Sequence, residues 1–367
     1  MKIDYVNLKT QWLNERKDLL PIIDKVLSTG EFVGGDEVNK FEKNILKLTN
    51  SKYSVSLNSG TDALTLALYV LGVRKNDEVI TAPNSFIASA SCIVHLGAKP
   101  VFVDVDKDLN INPDLIEKKI TKKTKAIIAV HLTGKMAKMS KIISIAKKYK
   151  IKVIEDAAQS IGSKFKKKLA GSYGEIGCFS AHPLKNLNAF GDSGYLVTNK
   201  KYLADNIKKL SNHGMENRNK VKYSGYVSRM DNLQAAILNY HLKNLNKVIS
   251  IRRRNAKLYE KHLDTENLEL PFEDQDAFDT YHTYVIKTKV RTKLIDYLKK
   301  RNIGTAIHYP VPIHLQPAFK KYGYKKGDFP ITEKLCREIL TLPINQYLSP
   351  EQIIYISKSI NSFFKNI

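Results

Sequence analysis

Two rhythms of apolar and polar positions run along this chain. From about residue 50 to 245, short apolar runs alternate with longer stretches whose apolar residues return every third or fourth position. SVSLN reads as a strand and SGTDALTLALYVLG as a helix. DEVITAPN, KPVFVDV, AIIAVHLT, KVIEDAA, EIGCFSA and GYLVTN read as further strands. FIASASCIVHLG, DLIEKKI and MSKIISIAKKYK read as the helices between them. Buried strands alternating with helices predict an α/β fold with a mostly parallel sheet covered on both faces.

From about Lys247 the rhythm changes. IRRRNAKLYEKHL is predicted helical, TYHTYVIKT is an alternating strand, and RTKLIDYLKKRNIG is a helix ending at a glycine. TAIHYPVP is extended and stopped by prolines, and EQIIYISKSINSFFKNI is a final amphipathic helix. The expected organisation is residues 1–246 as an N-terminal arm plus a large α/β domain, and residues 247–367 as a smaller α+β domain.

Composition changes this picture little. The chain has 367 residues, 43% hydrophobic and 26% charged, which suits a globular protein of this class. No apolar run approaches the roughly 20 residues that span a bilayer. MKIDYVNLKTQWLNERK lacks the apolar core of a signal peptide, so the cytoplasm is the expected location. Cys92, Cys178 and Cys336 lie far apart and are expected as reduced core thiols. The net charge of +24 raises nucleic-acid binding, and with it a non-enzymatic DNA-binding regulator, as a second class of function. Against that, the lysines are spread along the whole chain, and only KFKKKLAG (164–171) and IRRRNAK (251–257) are dense. A lysine-biased composition gives the same pattern, as does attraction of a small polyanionic substrate. No helix-turn-helix with a basic recognition helix is evident.

Candidate chemistry gathers at strand ends, where α/β proteins hold ligands. Ser59, Gly60 and Thr61 open a helix and suit a phosphate, although Ser59 also suits plain N-capping. Glu155-Asp156 closes a strand and is followed by small alanines and Gln159. Ser180 closes another strand, and Lys185 follows in the turn after Pro183. Phe86 follows a Pro-Asn-Ser turn, where it serves either a ligand or the core. These pieces fit pyridoxal phosphate, which needs an imine-forming lysine, a carboxylate for its pyridine nitrogen, a phosphate cradle and a wall for its ring. Lys185, Asp156, the group Ser59, Gly60, Thr61 and Ser180, and Phe86 take these parts in turn, with Gln159 on the ring hydroxyl. A lysine in an apolar turn loses solvation, which favours the neutral amine that attacks an aldehyde.

The set LNSGTDALTLAL, EVITAPNSF, VIEDAAQSIG, FSAHPLKNLNAFGDSGYLVT, SRMDNLQAAIL and IHYPVPIHLQPAF resembles the DegT/DnrJ/StrS family of sugar aminotransferases, within the fold-type I superfamily of pyridoxal-phosphate enzymes. The resemblance covers nearly the whole chain. It implies that Lys185 carries the imine, Asp156 pairs with the pyridinium, Gln159 contacts the ring oxygen, Gly60, Thr61 and Ser180 hold the phosphate, and Phe86 stacks on the ring. It also implies a homodimer whose active sites share residues from both subunits. Val227 stands where the family's asparagine reaches the partner's cofactor phosphate, so that contact is not expected. IHYPVPIHLQPAF resembles the segment of members that aminate C3 of a 3-keto nucleotide sugar, with His308, Tyr309 and His314 as substrate contacts. An extended structural strand is the competing reading of that segment, and no third ligand turns its two histidines into a metal site. The expected reaction moves an amino group from L-glutamate to C3 of a dTDP-3-keto-6-deoxyhexose. A 4-keto or UDP-linked sugar is the alternative within the family.

Overall fold

The apolar runs of the middle region become one seven-stranded sheet in the computed structural model, which describes residues 1–366. Its strands are β1 (Tyr53–Leu57), β2 (Glu78–Thr81), β3 (Lys99–Phe102), β4 (Thr124–Val130), β5 (Lys152–Asp156), β6 (Ile176–Ser180) and β7 (Gly194–Thr198). Their spatial order is β1-β7-β6-β5-β4-β2-β3. Only β7 runs against its neighbours. The mostly parallel sheet expected from the sequence is therefore present. Strands such as β4 are apolar without alternation because helices bury both faces.

Those helices are α3 (Gly60–Val70), α4 (Ala88–His95), α5 (Met139–Tyr149) and α6 (Lys201–Leu210). Every residue of α3 from Ala63 to Leu68 is buried, so its apolar character runs round the whole helix. Ahead of the sheet come α1 (Leu8–Ser28) and α2 (Asp36–Thr49), which pack on the long α7 (Asn232–His262). The chain then forms β8 (Tyr284–Lys287), α8 (Arg291–Lys300), α9 (Pro330–Glu338), β9 (Ile339–Leu342) and α10 (Pro350–Lys365). Ile367, the last residue of the expected final helix, lies outside the described residues.

Two large apolar cores result, beside a small aromatic one around Phe102, Phe319 and Phe329. One surrounds the large sheet; the other joins the end of α7, the antiparallel pair β8–β9, α8 and α10, and takes in Ile3 from the N-terminus. The proposed division at residue 246/247 falls inside α7, which serves both cores.

Two expected elements differ. DLIEKKI forms two short 3-10 turns, Pro113–Leu115 and Glu117–Lys119. Asn112 caps the first turn through Oδ1, and only Pro113 and Ile116 are well buried, too little apolar surface to hold a full helix. TYHTYVIKT becomes a strand only from Tyr284. Its first residues are held as a loop, because their backbone groups bond elsewhere. Asn186 donates to the Thr280 carbonyl, Arg252 to those of Tyr281 and His282, and the Thr280 N–H reaches the Gly134 carbonyl.

Candidate active site

Strand β5 ends in two adjacent carboxylates that the pleat sends to opposite faces. Glu155 is fully buried and accepts from the backbone N–H groups of Gly171, Tyr173 and Gly174, at 2.6–2.9 Å. His131 Nε2 lies 3.0 Å from the same carboxylate, while its Nδ1 accepts from the Ala137 N–H. Glu155 is thus a structural anchor beneath the sheet end. Asp156 faces the other way, into a cavity of ≈ 540 Å³. Ser89 donates to its Oδ2 at 2.6 Å, and Ser85 stands behind Ser89 at 2.7 Å.

Lys185 lines the same cavity. The turn after β6 sets its backbone, with the Lys185 N–H on the His182 carbonyl. Burial lowers its pKa to about 8, against the opposing pull of the Asp156 carboxylate. A substantial share of the side chain is therefore neutral amine near physiological pH.

The start of α3 forms one end of the cavity. Ser59 caps the helix by accepting from the Asp62 N–H, so the capping reading of this residue holds. Among the described residues the Gly60 and Thr61 N–H groups have no partner at the first turn, and Ser180, whose hydroxyl accepts from the His182 N–H, lines the cavity beside Gly60. A Cβ on Gly60 would meet the Ser180 Cβ at 2.9 Å, and one on Gly194 would meet Ser59 backbone at 2.2 Å. Glycine at both positions lets β6, β7 and the helix start close up into one cradle.

Gln159 is fixed by accepting from the Thr133 N–H at 2.7 Å, and its Nε2 reaches the Tyr309 hydroxyl at 3.4 Å. Phe86 is 54% exposed at the rim, its ring centroid 6.0 Å from that of Tyr309. His308 also lines the cavity, with Nδ1 3.0 Å from Thr341 Oγ1. Burial, aided by the Lys185 charge, lowers its pKa to about 4, so the ring is neutral in use.

His314 is not in the cavity. It is 1% exposed, lies 3.2 Å from Glu333, and packs edge-on against Phe329. The substrate contact expected there is corrected to a core role. The loop at Ile313–Leu315 turns inward and carries this ring into a small aromatic core with Phe102 and Phe319.

Sequence reasoning missed Ser89, Tyr5, Arg252, His282, Gln346 and Tyr347, all at or just behind the cavity wall. Ser89 has no signal beyond its place in the first turn of α4. Arg252 has one: it sits in phase with the apolar residues of α7.

The residues fit pyridoxal phosphate. Two orphaned N–H groups and a hydroxyl await an oxyanion, a carboxylate is locked in place, and a lysine of lowered pKa shares the space.

Comparison with known proteins gives the same reading. The DegT/DnrJ/EryC1/StrS aminotransferase family matches residues 14–361. A pleiotropic regulatory protein of Geobacillus stearothermophilus is 38% identical, over 100% of both chains. The dTDP-3-amino-3,6-dideoxy-alpha-D-galactopyranose transaminase of Aneurinibacillus thermoaerophilus is 37% identical, covering 98% of this chain and 99% of its own. The UDP-2-acetamido-2-deoxy-3-oxo-D-glucuronate aminotransferase of Pseudomonas aeruginosa is 36% identical, covering 98% and 100%. Among solved structures, S. venezuelae DesV in complex with a ketimine intermediate superimposes with a TM-score of 0.97 at 32% identity, covering 100% and 99%. Bacillus subtilis NtdA with bound PMP gives 0.89 at 33% identity, covering 96% and 82%.

Proposed function

The chain belongs to the DegT/DnrJ/EryC1/StrS aminotransferase family and is a pyridoxal-phosphate-dependent sugar aminotransferase, and we propose that it carries an amino group from L-glutamate to C3 of a dTDP-3-keto-6-deoxyhexose. The observation that carries this reading is the pairing of Lys185, with its pKa near 8, and the buried Asp156 in one cavity. The C3 position is supported by two relatives whose names place their oxo or amino group at C3. One of those names is UDP-linked, so a UDP sugar is the second reading.

Pyridoxal phosphate supplies the aldehyde that condenses with amines and the ring that accepts electrons. Each remaining role would fall to this chain's own residues. Lys185 Nζ, as the neutral amine, would hold the aldehyde carbon; once displaced by the donor's amino group, the freed amine would carry the proton taken from the donor's α-carbon. Asp156, oriented by Ser89, would keep a proton on the ring nitrogen. The Gly60 and Thr61 N–H groups and the Ser180 hydroxyl would hold the phosphate at the start of α3, where the helix dipole favours negative charge. Gln159 would bond the ring hydroxyl, Phe86 would cover the ring, and neutral His308 and Tyr309 would take the sugar.

We further infer that the protein acts as a homodimer with shared sites. Leu13, Leu20 and Leu27 form an exposed stripe at seven-residue spacing on α1, and exposed Leu8, Phe86 and Leu184 ring the cavity mouth. A second copy is the proposed cover for both. Val227 is 56% exposed and bridges Asn212 through its backbone, and it offers no side-chain donor to a partner's phosphate. The cytoplasm is the proposed location; among the described residues no helix is long and apolar enough to cross a membrane.

The test is incubation of the protein with L-glutamate and a panel of keto sugar nucleotides, with product structure determined by NMR. An amino group at C3 of the dTDP sugar is the expected result. Amination at C4, or only of UDP sugars, would replace the proposal with its alternative. A colourless protein whose spectrum ignores glutamate would defeat the enzymatic reading outright.

A further inference from the structure

The two dense basic runs of the sequence, 164–171 and 251–257, lie about eighty residues apart, and the fold brings them together. The first forms a hairpin, Lys164–Phe165 against Lys168–Leu169, and its first strand pairs with Ala277–Phe278. The second lies on α7, where Arg254, Lys257 and Lys261 recur every third or fourth position along one face. Hairpin, helix face and the end of α2 enclose a groove of ≈ 760 Å³. None of its lining residues lines the active-site cavity.

The groove holds five cations, Lys164, Arg253, Arg254, Lys257 and Lys261, and no carboxylate. Arg253 is already committed: it pairs with Glu273 and lies 4.1 Å over the Phe278 ring. The other four form no ion pair among the described residues. Arg254 donates from Nε and Nη2 to neutral oxygens, those of the Asn255 side chain and the Leu348 carbonyl. Glu260 and Glu351 feel the charges of Lys257 and Arg254 from outside the lining. Elsewhere on this surface neighbouring lysines share a carboxylate: Lys152 and Lys200 share Glu175, and Lys209 and Lys220 share Glu216. Like charges gathered without such a partner repel one another, and a concave site focuses their field on an incoming anion. Between the cations the floor is mostly apolar, with Leu48, Leu169, Ile249 and Leu258.

We propose that this groove is a second binding site, for a nucleoside diphosphate. The proposal goes beyond the reaction above and does not depend on it. The volume lies within the range of small-molecule sites. Four unpaired cations match a diphosphate, and the floor takes the base and sugar. Asn246 and Ser250 set polar side chains with no protein partner into that floor, which suits a nucleoside better than a hydrocarbon chain. A nucleic-acid backbone fits less well, since its phosphates would sit on the rim cations and leave the floor uncovered.

The test uses the pyridoxal-phosphate-loaded full-length protein and thymidine diphosphate. Lys164, Lys257 and Lys261 are exposed, so acetylation should modify all three in the free protein. Saturating thymidine diphosphate should protect them, read by mass spectrometry. In Lys257→Glu/Lys261→Glu, calorimetry should show the affinity of this site falling about 10-fold or more, from the loss and reversal of two charges. The kcat/KM for transamination should stay within about 3-fold, because neither lysine lines the cavity. Lys257→Arg/Lys261→Arg should bind as wild type does. Inorganic pyrophosphate should protect the same lysines but bind more weakly, since nothing in it covers the floor. Absence of protection at these three lysines would overturn the proposal, as would equal affinity in the charge-reversed variant. Pyrophosphate binding as tightly as thymidine diphosphate would also overturn it. Farnesyl diphosphate or a single-stranded oligonucleotide binding this groove more tightly would reassign it to a lipid or to nucleic acid. Should the charge-reversed variant not fold, the protection pattern of the wild type decides. A protein that aminates no sugar refutes the reaction proposed above and leaves this titration untouched.

Discussion

The two walls of the cavity are built on opposite plans. On the sheet side the polar side chains have protein partners, while the Gly60 and Thr61 N–H groups are left for an anion: Asp156 has Ser89, Gln159 has the Thr133 N–H, and Glu155 beneath them has three backbone donors. On the C-terminal side, Arg252 Nε and His282 Nδ1 are enclosed without partners. Burial holds His282 well below the usual histidine pKa, with the charges of Lys185 and Arg252 adding to the effect. The paired wall suits a cofactor that stays. The unpaired wall suits substrates that come and go and complete the bonding only while bound.

The harshest way to break this comparison is at the junction of the walls. Lys185→Ala should lower turnover by about 10⁴-fold or more, because nucleophile and proton carrier vanish together. Lys185→Arg should be as inactive despite keeping its charge, measured as steady-state transamination. Next comes the sheet wall. Asp156→Asn should reduce kcat by about 10²–10³-fold, the usual cost of one preorganised electrostatic group. Its neighbour sharpens the point: Glu155→Gln should lower stability by about 3 kcal/mol by disturbing a buried, multiply bonded carboxylate, read as the denaturation midpoint.

The C-terminal wall should respond more mildly. His308→Ala should lower kcat/KM for the keto sugar by about 10-fold, the worth of one hydrogen bond, with glutamate kinetics little changed. His314→Ala should leave kcat/KM within about 3-fold and lower stability by about 1–3 kcal/mol, since it exposes Glu333 and empties an aromatic core. Equal kinetic losses for the two histidines would break the separation drawn here. The smallest effect concerns pH. Capture of pyridoxal phosphate by cofactor-free protein needs the neutral amine, and the Lys185 pKa is lowered to about 8. The capture rate should therefore rise with pH and level off above about 8; a rise continuing towards 10.5, the ordinary lysine value, would show that burial does not tune this group.

The sheet wall was legible in the sequence for the same reason that it is rigid. Strand ends announce themselves through apolar runs, and Asp156, Ser180 and Lys185 each stand at or just past one. Gly60 and Thr61 were legible because a helix start follows a strand. The C-terminal wall is assembled from pieces far apart in the chain, with Tyr5, Arg252, His282 and Gln346 brought together by α7 and the loop at 280–283. No local pattern encodes that meeting. Arg252 was read as part of a basic run, although its phase on the helix sets it apart from Arg253 and Arg254. His314 misled in the other direction. The resemblance of its segment implied a substrate contact beside His308, but the intervening prolines turn the chain and send one ring to the cavity and the other to the core.

The account stands or falls on which amine meets the cofactor. Borohydride reduction of the loaded protein, followed by digestion and mass spectrometry, should place the pyridoxyl group on the peptide containing Lys185, with none retained by Lys185→Ala. A pyridoxyl group on any other lysine of the wild-type protein would contradict it.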